Sequence, residues 1–289
     1  AVGKTRLAAL LADKINAQII SADSRQVYQG MDLGTGKDLQ DYFVGKRQIK
    51  SHLLDVVHPT EEFNVFKFKK LFVEAISEIQ NAGEIPLMCG GTGLYLDAIL
   101  RDYEFVEVPE NVELRTELSK KSIEELAKIL LEMKKVHNKT DLEDKNRLLR
   151  AIEIEEYNKT AVREELIIKD STVFGVYCPR EVVRERIANR LQNRLDEGMI
   201  DEIKRLMNEG VSIERLLSFG LEYKFVTLYL TGKLSKEEME KLLCIAIQQF
   251  SKRQMSWFRR MERLGVKINW IDGMLSEDEK VNEMIRLLK

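Results

Sequence analysis

Apolar positions along the chain follow two periods, and the two alternate. After Lys4, residues Leu7, Ala8, Leu11, Ala12 and Ile15 share one face at helical spacing. AQIISAD (17–23) then reads as a short buried strand ending in polar residues, and HLLDVV (52–57) is a second apolar strand candidate. FKFKKLFVEAISEIQNAG (66–83) returns to the helical period: Phe68, Leu71, Phe72, Ala75, Ile76 and Ile79 make one stripe, and Gly83 stops it. IPLMCGG (85–91) is a continuous apolar strand closed by two glycines, with another helix after it. TVFGVYC (172–178) and KINWID (267–272) are later strands, separated by long helices, one of which opens at the capping box Ser235…Glu238.

Strands that are apolar runs, alternating with helices, predict an α/β fold: a parallel sheet covered by helices on both faces. Such sheets bind ligands at the carboxyl ends of their strands. Asp23 and Gly90-Gly91-Thr92 are therefore candidate site positions before any motif is considered.

The pattern changes near Val108-Pro109. From there to about Lys169 the chain reads as helical, with capping boxes at Ser122…Glu125 and Thr140…Glu143 and no convincing buried strand. The expected organisation is an α/β core from residues 1–108 and 170–289, with a small all-helical insertion domain at 109–169.

Composition narrows the class. The chain has 289 residues, 44% apolar and 33% charged, which is enough apolar surface for a core and excludes intrinsic disorder. Lys plus Arg is 46 and Asp plus Glu is 48, a net charge of −2, so any basic surface must be local. No run of eighteen apolar residues predicts a membrane span. Cys89, Cys178 and Cys244 lie far apart and form no C-x-x-C pair, which fits a reducing, cytoplasmic setting. The histidines His52, His58 and His137 are too scattered for a histidine metal centre.

Ala1-Val2-Gly3-Lys4-Thr5 followed by a helix looks like the second half of G-x-x-x-x-G-K-[ST]. In that loop the backbone amides wrap phosphates, the Lys reaches the outer ones, the Thr hydroxyl binds Mg²⁺, and the helix dipole attracts the anion. The first glycine would precede residue 1 and there is no initiator Met, so we expect the true N-terminus to lie upstream. A phosphate loop alone fits kinases, NTPases and other transferases equally. Asp23 follows the AQII strand and would sit beside the loop, where a carboxylate can hold Mg²⁺ through water or act as a base. The alternative is an ordinary helix cap, and the position favours the functional role.

The chain then resembles a known family. G-K-T, SADSRQVYQGMDLGTGK (21–37), GGTGLYLDAIL (90–100), NRLLRAIEI (146–154), RIANRLQNRLDEGMIDEI (186–203), FGLEYKFVTLYLTG (219–232) and FSKRQMSWFRR (250–260) resemble, in order over nearly the whole chain, the tRNA dimethylallyltransferases of the bacterial MiaA type. The resemblance implies transfer of the dimethylallyl group of dimethylallyl diphosphate to N6 of the adenosine 3′-adjacent to the anticodon (position 37), in tRNAs reading codons that begin with U. It implies that the phosphate loop serves a prenyl diphosphate, with Ala1, Val2, Gly3, Lys4 and Thr5 holding the diphosphate and Thr5 the Mg²⁺. Asp23 becomes the base that takes the N6 proton, and Thr92 contacts the reacting nucleotide. Ser24, Arg25 and Gln26 would contact the flipped-out base.

The helical insertion would grip tRNA through Arg115, Asn146, Arg147 and Arg150. Arg186, Arg190 and Arg194 recur every four residues on one helical face, and the family places an arginine from this region at the diphosphate. Arg190 is favoured, then Arg186. Lys252, Arg253, Gln254, Trp257 and Arg259 form a basic and aromatic cluster suited to RNA, of which Trp257 can stack on a base or pack on the core. The partners implied are dimethylallyl diphosphate and the tRNA anticodon stem-loop, with no membrane and a monomeric enzyme. Departures from the family pattern are that the residues from Ala1 onward hold only the second half of the phosphate loop and that Leu221-Glu222-Tyr223-Lys224 replaces the common Gly-Tyr-Lys-Glu; a zinc finger of the eukaryotic kind is not expected. A small-molecule P-loop kinase, an adenylate isopentenyltransferase and a non-catalytic RNA-binding protein are the competing readings.

Overall fold

The computed structural model describes residues 2–101, 108, 110–133, 142–158 and 171–288. The chain divides into two compact units, Ala1–Asp102 with Ile167–Lys289, and Tyr103–Leu166.

The first unit opens with α1 (Lys4–Ile15), which buries Leu7, Ala8, Leu11 and Ala12 and ends at Asn16 in the left-handed conformation (φ 52°). Strand β1 (Ala17–Ala22) is buried at all six positions because it is the central strand of a parallel sheet. A small antiparallel ribbon, β2 (Phe43–Val44) and β3 (Arg47–Gln48), leads to β4 (Ser51–His52) on one side of β1. Helix α2 (Val65–Asn81) leads to β5 (Ile85–Gly90) on the other side, in a register that sets Ile19 opposite Leu87 and Ala22 opposite Gly90. Ile19 packs on Ala8, Ala9 and Ala12 of α1. Helix α2 also packs against β1 and β5.

The segment HLLDVV is a correction. The strand stops at His52, and Leu53 and Asp55 turn into the left-handed region (φ 62° and 54°). The physical reason is an ion pair: Asp55 leaves the strand path to meet the Lys37 ammonium, while Leu53 is buried by the turn itself.

After β5 comes α3 (Gly93–Leu100). The second unit contains α4 (Val112–Leu118), α5 (Ile123–Met133) and α6 (Lys145–Asn158), which share a core of Leu118, Leu126, Leu130, Leu148 and Ile152. The Ser122…Glu125 capping box forms, with bonds of 2.7 and 3.2 Å; Thr140 lies outside the described residues.

The chain returns to the first unit with β6 (Val173–Tyr177) and α7 (Arg180–Asp196). Helices α8 (Met199–Asn208), α9 (Ile213–Ser218) and α10 (Leu221–Leu230) follow, then the 28-residue α11 (Lys236–Arg263), which opens on a complete Ser235…Glu238 capping box. Strand β7 (Ile268–Asp272) pairs in parallel with β6, and α12 (Glu277–Leu288) closes the chain. The single expected sheet is thus two parallel sheets among the described residues, β4-β1-β5 and β6-β7. Helix α1 serves both: Leu7 and Leu11 cluster with Leu87 of β5, Phe174 and Val176 of β6, and Ile271 of β7. Trp270, on the other face of β7 by alternation, donates to Glu262 of α11 at 2.8 Å. Helices therefore cover both faces, as the apolar strands require.

Candidate active site

The site grows from the carboxyl ends of β1 and β5. The two strands run so close there that a Cβ on Gly90 would lie 2.2 Å from the Ala22 carbonyl oxygen. The Thr92 N–H donates to that same carbonyl at 3.2 Å. The Ser24 N–H donates to Thr92 Oγ1 at 2.9 Å, and the two hydroxyls lie 3.3 Å apart. The Arg25 N–H donates to Asp23 Oδ1 at 3.0 Å, which orients the carboxylate. Asp23 and Thr92 are thereby joined through Ser24 across two strand ends.

Gly3 sits at φ 72°, and Lys4 begins α1 directly after it. The Lys4 ammonium reaches to 3.7 Å from where a Cβ on Gly91 would be, beside the β5 end. Burial pushes the neighbouring Cys89 thiol up to about 11 against the pull of Lys4, so Cys89 is a neutral thiol and not a nucleophile. Val2 and Thr5 flank this start, with Thr5 half-buried in the first turn; Ala1 lies outside the described residues.

Residues 26–38 form a loop whose polar groups are tied down from several sides. Gln26 accepts from Ser21 Oγ at 3.3 Å and donates to the Gly36 carbonyl at 3.0 Å, so its amide is engaged within the protein. The fully buried Lys37 ammonium bonds the Tyr28 carbonyl at 3.0 Å, Asp32 at 2.8 Å, and Asp55. Glu202 of α8 accepts from the backbone N–H groups of Asp32, Leu33 and Gly34 at 2.9, 2.8 and 3.1 Å, and from the Tyr223 hydroxyl at 2.8 Å.

This loop holds the α7 arginines. Arg190 donates to Asp38 at 2.6 Å and to the Gly36 carbonyl at 3.4 Å, and Arg194 donates to Asp38 at 3.1 Å. Gly36 has φ 71°, and a Cβ there would lie within 2.5–2.9 Å of both guanidinium groups. Burial, and then Arg190 beside it, pull Arg194 below the ordinary arginine value. Arg186 is placed elsewhere, 3.5 Å from the Cys178 sulfur just after β6.

From α11, Gln254 donates to the Gly91 carbonyl at 2.7 Å, and the Trp257 ring packs on Gly93, where a Cβ would fall 2.5 Å from it. Trp257 is therefore a packing residue of the β5–α3 turn. Lys252 and Arg253 are exposed on the same helix. Arg25 is among the residues the sequence places at the flipped-out base. Its guanidinium is turned inward onto Glu222 of α10 at 2.6 Å and over the Phe250 ring at 5.9 Å, because Glu222 supplies a nearly buried carboxylate there.

In the second unit, Glu153 is buried and accepts from Arg115 at 2.8 and 3.1 Å, from the Asn111 N–H at 2.6 Å, and from Arg150. Arg150 also donates to the Val108 carbonyl at 2.8 Å. Burial would raise the Glu153 carboxyl, but these donors outweigh it and hold it below the usual carboxylate range. Both arginines thus have a structural partner. Asn146 and Arg147 have exposed positions on α6.

A family model described as IPP transferase matches residues 26–261. The chain belongs to that family. It is 50% identical over 291 residues to a Bacteroides fragilis protein named tRNA dimethylallyltransferase 2, covering 100% of this chain and 95% of the relative. It is 49% identical over 290 residues to tRNA dimethylallyltransferase 1 of Parabacteroides distasonis, covering 100% and 94%. The crystal structure of the Bacillus halodurans tRNA isopentenylpyrophosphate transferase superposes with a TM-score of 0.72 at 29% identity, covering 100% of this chain and 92% of that one.

In this IPP transferase, Lys37, Asp38, Arg194, Glu202 and Glu222 are the site-building residues that the sequence reading did not assign. Arg194 carried a signal, since it shares the four-residue spacing of Arg186 and Arg190. Glu202 and Glu222 carried none, because the loop groups they hold lie 168–170 and 197 residues away in the chain.

Proposed function

We propose that this IPP transferase moves the dimethylallyl group of dimethylallyl diphosphate to N6 of the adenosine at position 37 of tRNA, in tRNAs reading codons that begin with U, and releases diphosphate. The observation that carries the reading is the Asp23–Ser24–Thr92 bridge at two strand ends, with Lys4 beside it. In the reaction the allylic C–O bond breaks, an N6–C bond forms, the bonding electrons leave with the diphosphate, and one N6 proton goes to Asp23. The adenine amine is a weak nucleophile because its lone pair is delocalised into the ring, so acceptance of that proton is part of the step. Lys4 and the amides at the start of α1 stabilise the charge growing on the leaving group, as does Arg190. Arg190 has Asp38 as its resting partner and is half-exposed toward an incoming anion.

Among the described residues no three His, Cys, Asp or Glu side chains gather into a metal site. The donor set fits Mg²⁺ held by the Thr5 hydroxyl and substrate diphosphate oxygens, since that ion keeps waters and takes substrate phosphates as ligands. When bound, Mg²⁺ would offset negative charge on the diphosphate. Lys252 and Arg253 are exposed cations of the first unit proposed to meet the tRNA backbone. In the second unit Asn146 and Arg147 are exposed and proposed for the same role, while Arg115 and Arg150 are already bonded to Glu110, Glu153 and the Val108 carbonyl and would have to exchange those partners to contact tRNA. The active species is proposed to be the monomer. No described helix is long and apolar enough to cross a membrane.

The test supplies the protein with radiolabelled dimethylallyl diphosphate, Mg²⁺ and either unmodified tRNA or AMP. Label at adenosine 37 is the expected result. Label in AMP alone would make the protein an adenylate isopentenyltransferase. ATP consumption without prenyl transfer would replace the reading with a kinase.

A further inference from the structure

We propose that Glu222 is a positioning residue for Asp23 and acts through Arg25; this rests on the reading of Asp23 as the base. The Arg25 guanidinium meets Glu222 at 2.6 Å, and the two side chains are only 17% and 7% exposed. A cation withdrawn from water to this degree stays in place only when paired, so Glu222 fixes where Arg25 lies. The Phe250 ring, 5.9 Å from the guanidinium carbon, packs against the same group.

Arg25 is the residue whose N–H holds Asp23 Oδ1 at 3.0 Å, and the preceding N–H, of Ser24, is held by Thr92 at 2.9 Å. The three-residue turn 23–25 is therefore pinned at one end by the β5 turn and at the other by α10. With one carboxylate oxygen engaged by Arg25, the other is presented to the acceptor amine. Charge supports the same assignment. Burial alone would lower the Arg25 value, yet the charges of Glu222 and then Asp23 outweigh it and hold the guanidinium charged. Glu222 neutralises a cation that would otherwise draw on the base.

The backbone before Glu222 is an independent observation. Gly220 has φ 70°, and Leu221, which is not glycine, has φ 39°. A side chain in that region is strained, and such strain persists where the surroundings over-determine it. The turn delivers Glu222 in the first turn of α10, buried against Arg25.

The experiment measures single-turnover rate, donor KM and RNA affinity, using dimethylallyl diphosphate and an anticodon stem-loop RNA. Glu222→Gln is expected to slow the chemical step on the order of 10- to 100-fold, the size expected when a reacting group is misplaced by about 1 Å. Donor KM and RNA affinity stay near normal, and Glu222→Asp recovers most of the rate. Arg25→Lys keeps the charge but not the reach and gives the same split, so poor folding of Glu222→Gln does not decide the matter. Normal rates in both Glu222→Gln and Arg25→Lys, with Asp23→Ala inactive, would overturn the positioning role alone. A near-normal rate in Asp23→Ala would overturn the base assignment and this inference with it.

Discussion

Replacing Gly90 by Ala is the smallest perturbation aimed at the centre of the site. Gly90 has an ordinary backbone, so conformational freedom is not its role; space is. The added methyl would sit 2.2 Å from the Ala22 carbonyl oxygen, and the atom in the way is backbone in a buried central strand. Carbon and oxygen approach to about 3.3 Å at closest in ordinary contacts, so the strands must part by roughly 1 Å. Overpacking of this kind costs about 1–3 kcal/mol, and the upper end applies because no side chain can rotate away. The displacement falls between Ala22 and Gly90, one residue before Asp23 and two before Thr92. With Asp23 as the proposed base, a shift of that size predicts a rate loss on the order of 100-fold in the chemical step. The assay is a single-turnover measurement at saturating donor and RNA, beside a thermal melt of the same protein. A rate within about twofold of the parent, with Tm unchanged, would refute the argument that the two strand ends must touch for the site to work.

Three further predictions follow from other parts of the molecule. Arg190→Ala raises the donor KM and weakens binding of inorganic diphosphate, measured by calorimetry, whereas Lys4→Ala lowers both affinity and the chemical rate; unchanged diphosphate binding in both would remove the anion-site assignment. Lys37→Met is expected to cost about 2 kcal/mol in a denaturant titration, below the range for a fully buried pair, because Asp32 and Asp55 are 49% and 41% exposed and rehydrate. Glu153 has a folded-state value below its unfolded one, so its stabilisation is fully present above the unfolded carboxylate range and is lost as pH falls through the folded value. Stability measured from pH 7 downward should therefore fall less steeply in Glu153→Gln than in the parent, and a parallel pH dependence in the two proteins would count against the triad with Arg115 and Arg150.

What the sequence made legible depended on whether the deciding interaction was local. The stripe Phe68, Phe72, Ala75 and Ile79 predicted α2, because a helix is written in its own spacing. Ser235 and Glu238 marked the start of α11 for the same reason. The strand ends that carry Asp23 and Thr92 were legible because both follow apolar runs, and strand ends are where such sheets place ligands. HLLDVV was misread because an apolar run has no period of its own, and the ion pair that bends it depends on Lys37, in a different loop. The Arg25–Glu222 pair was not legible for a similar reason, since Glu222 lies 197 residues further along the chain.

Helix α11 carries four contacts that fix the region around the site. Phe250 lies beside Arg25, Gln254 bonds Gly91, Trp257 covers Gly93, and Glu262 holds Trp270 of the second sheet. At 1.5 Å per residue the helix is about 42 Å long, and it acts as one rigid ruler laid along both sheets. Inserting or deleting a single residue upstream of Phe250 would rotate everything after it by about 100° and remove all four contacts at once. Substitutions along this helix can be absorbed one at a time, but a change in its length cannot, so lineages of this protein should vary α11 in composition while keeping the residue count between Ser235 and Glu262 constant.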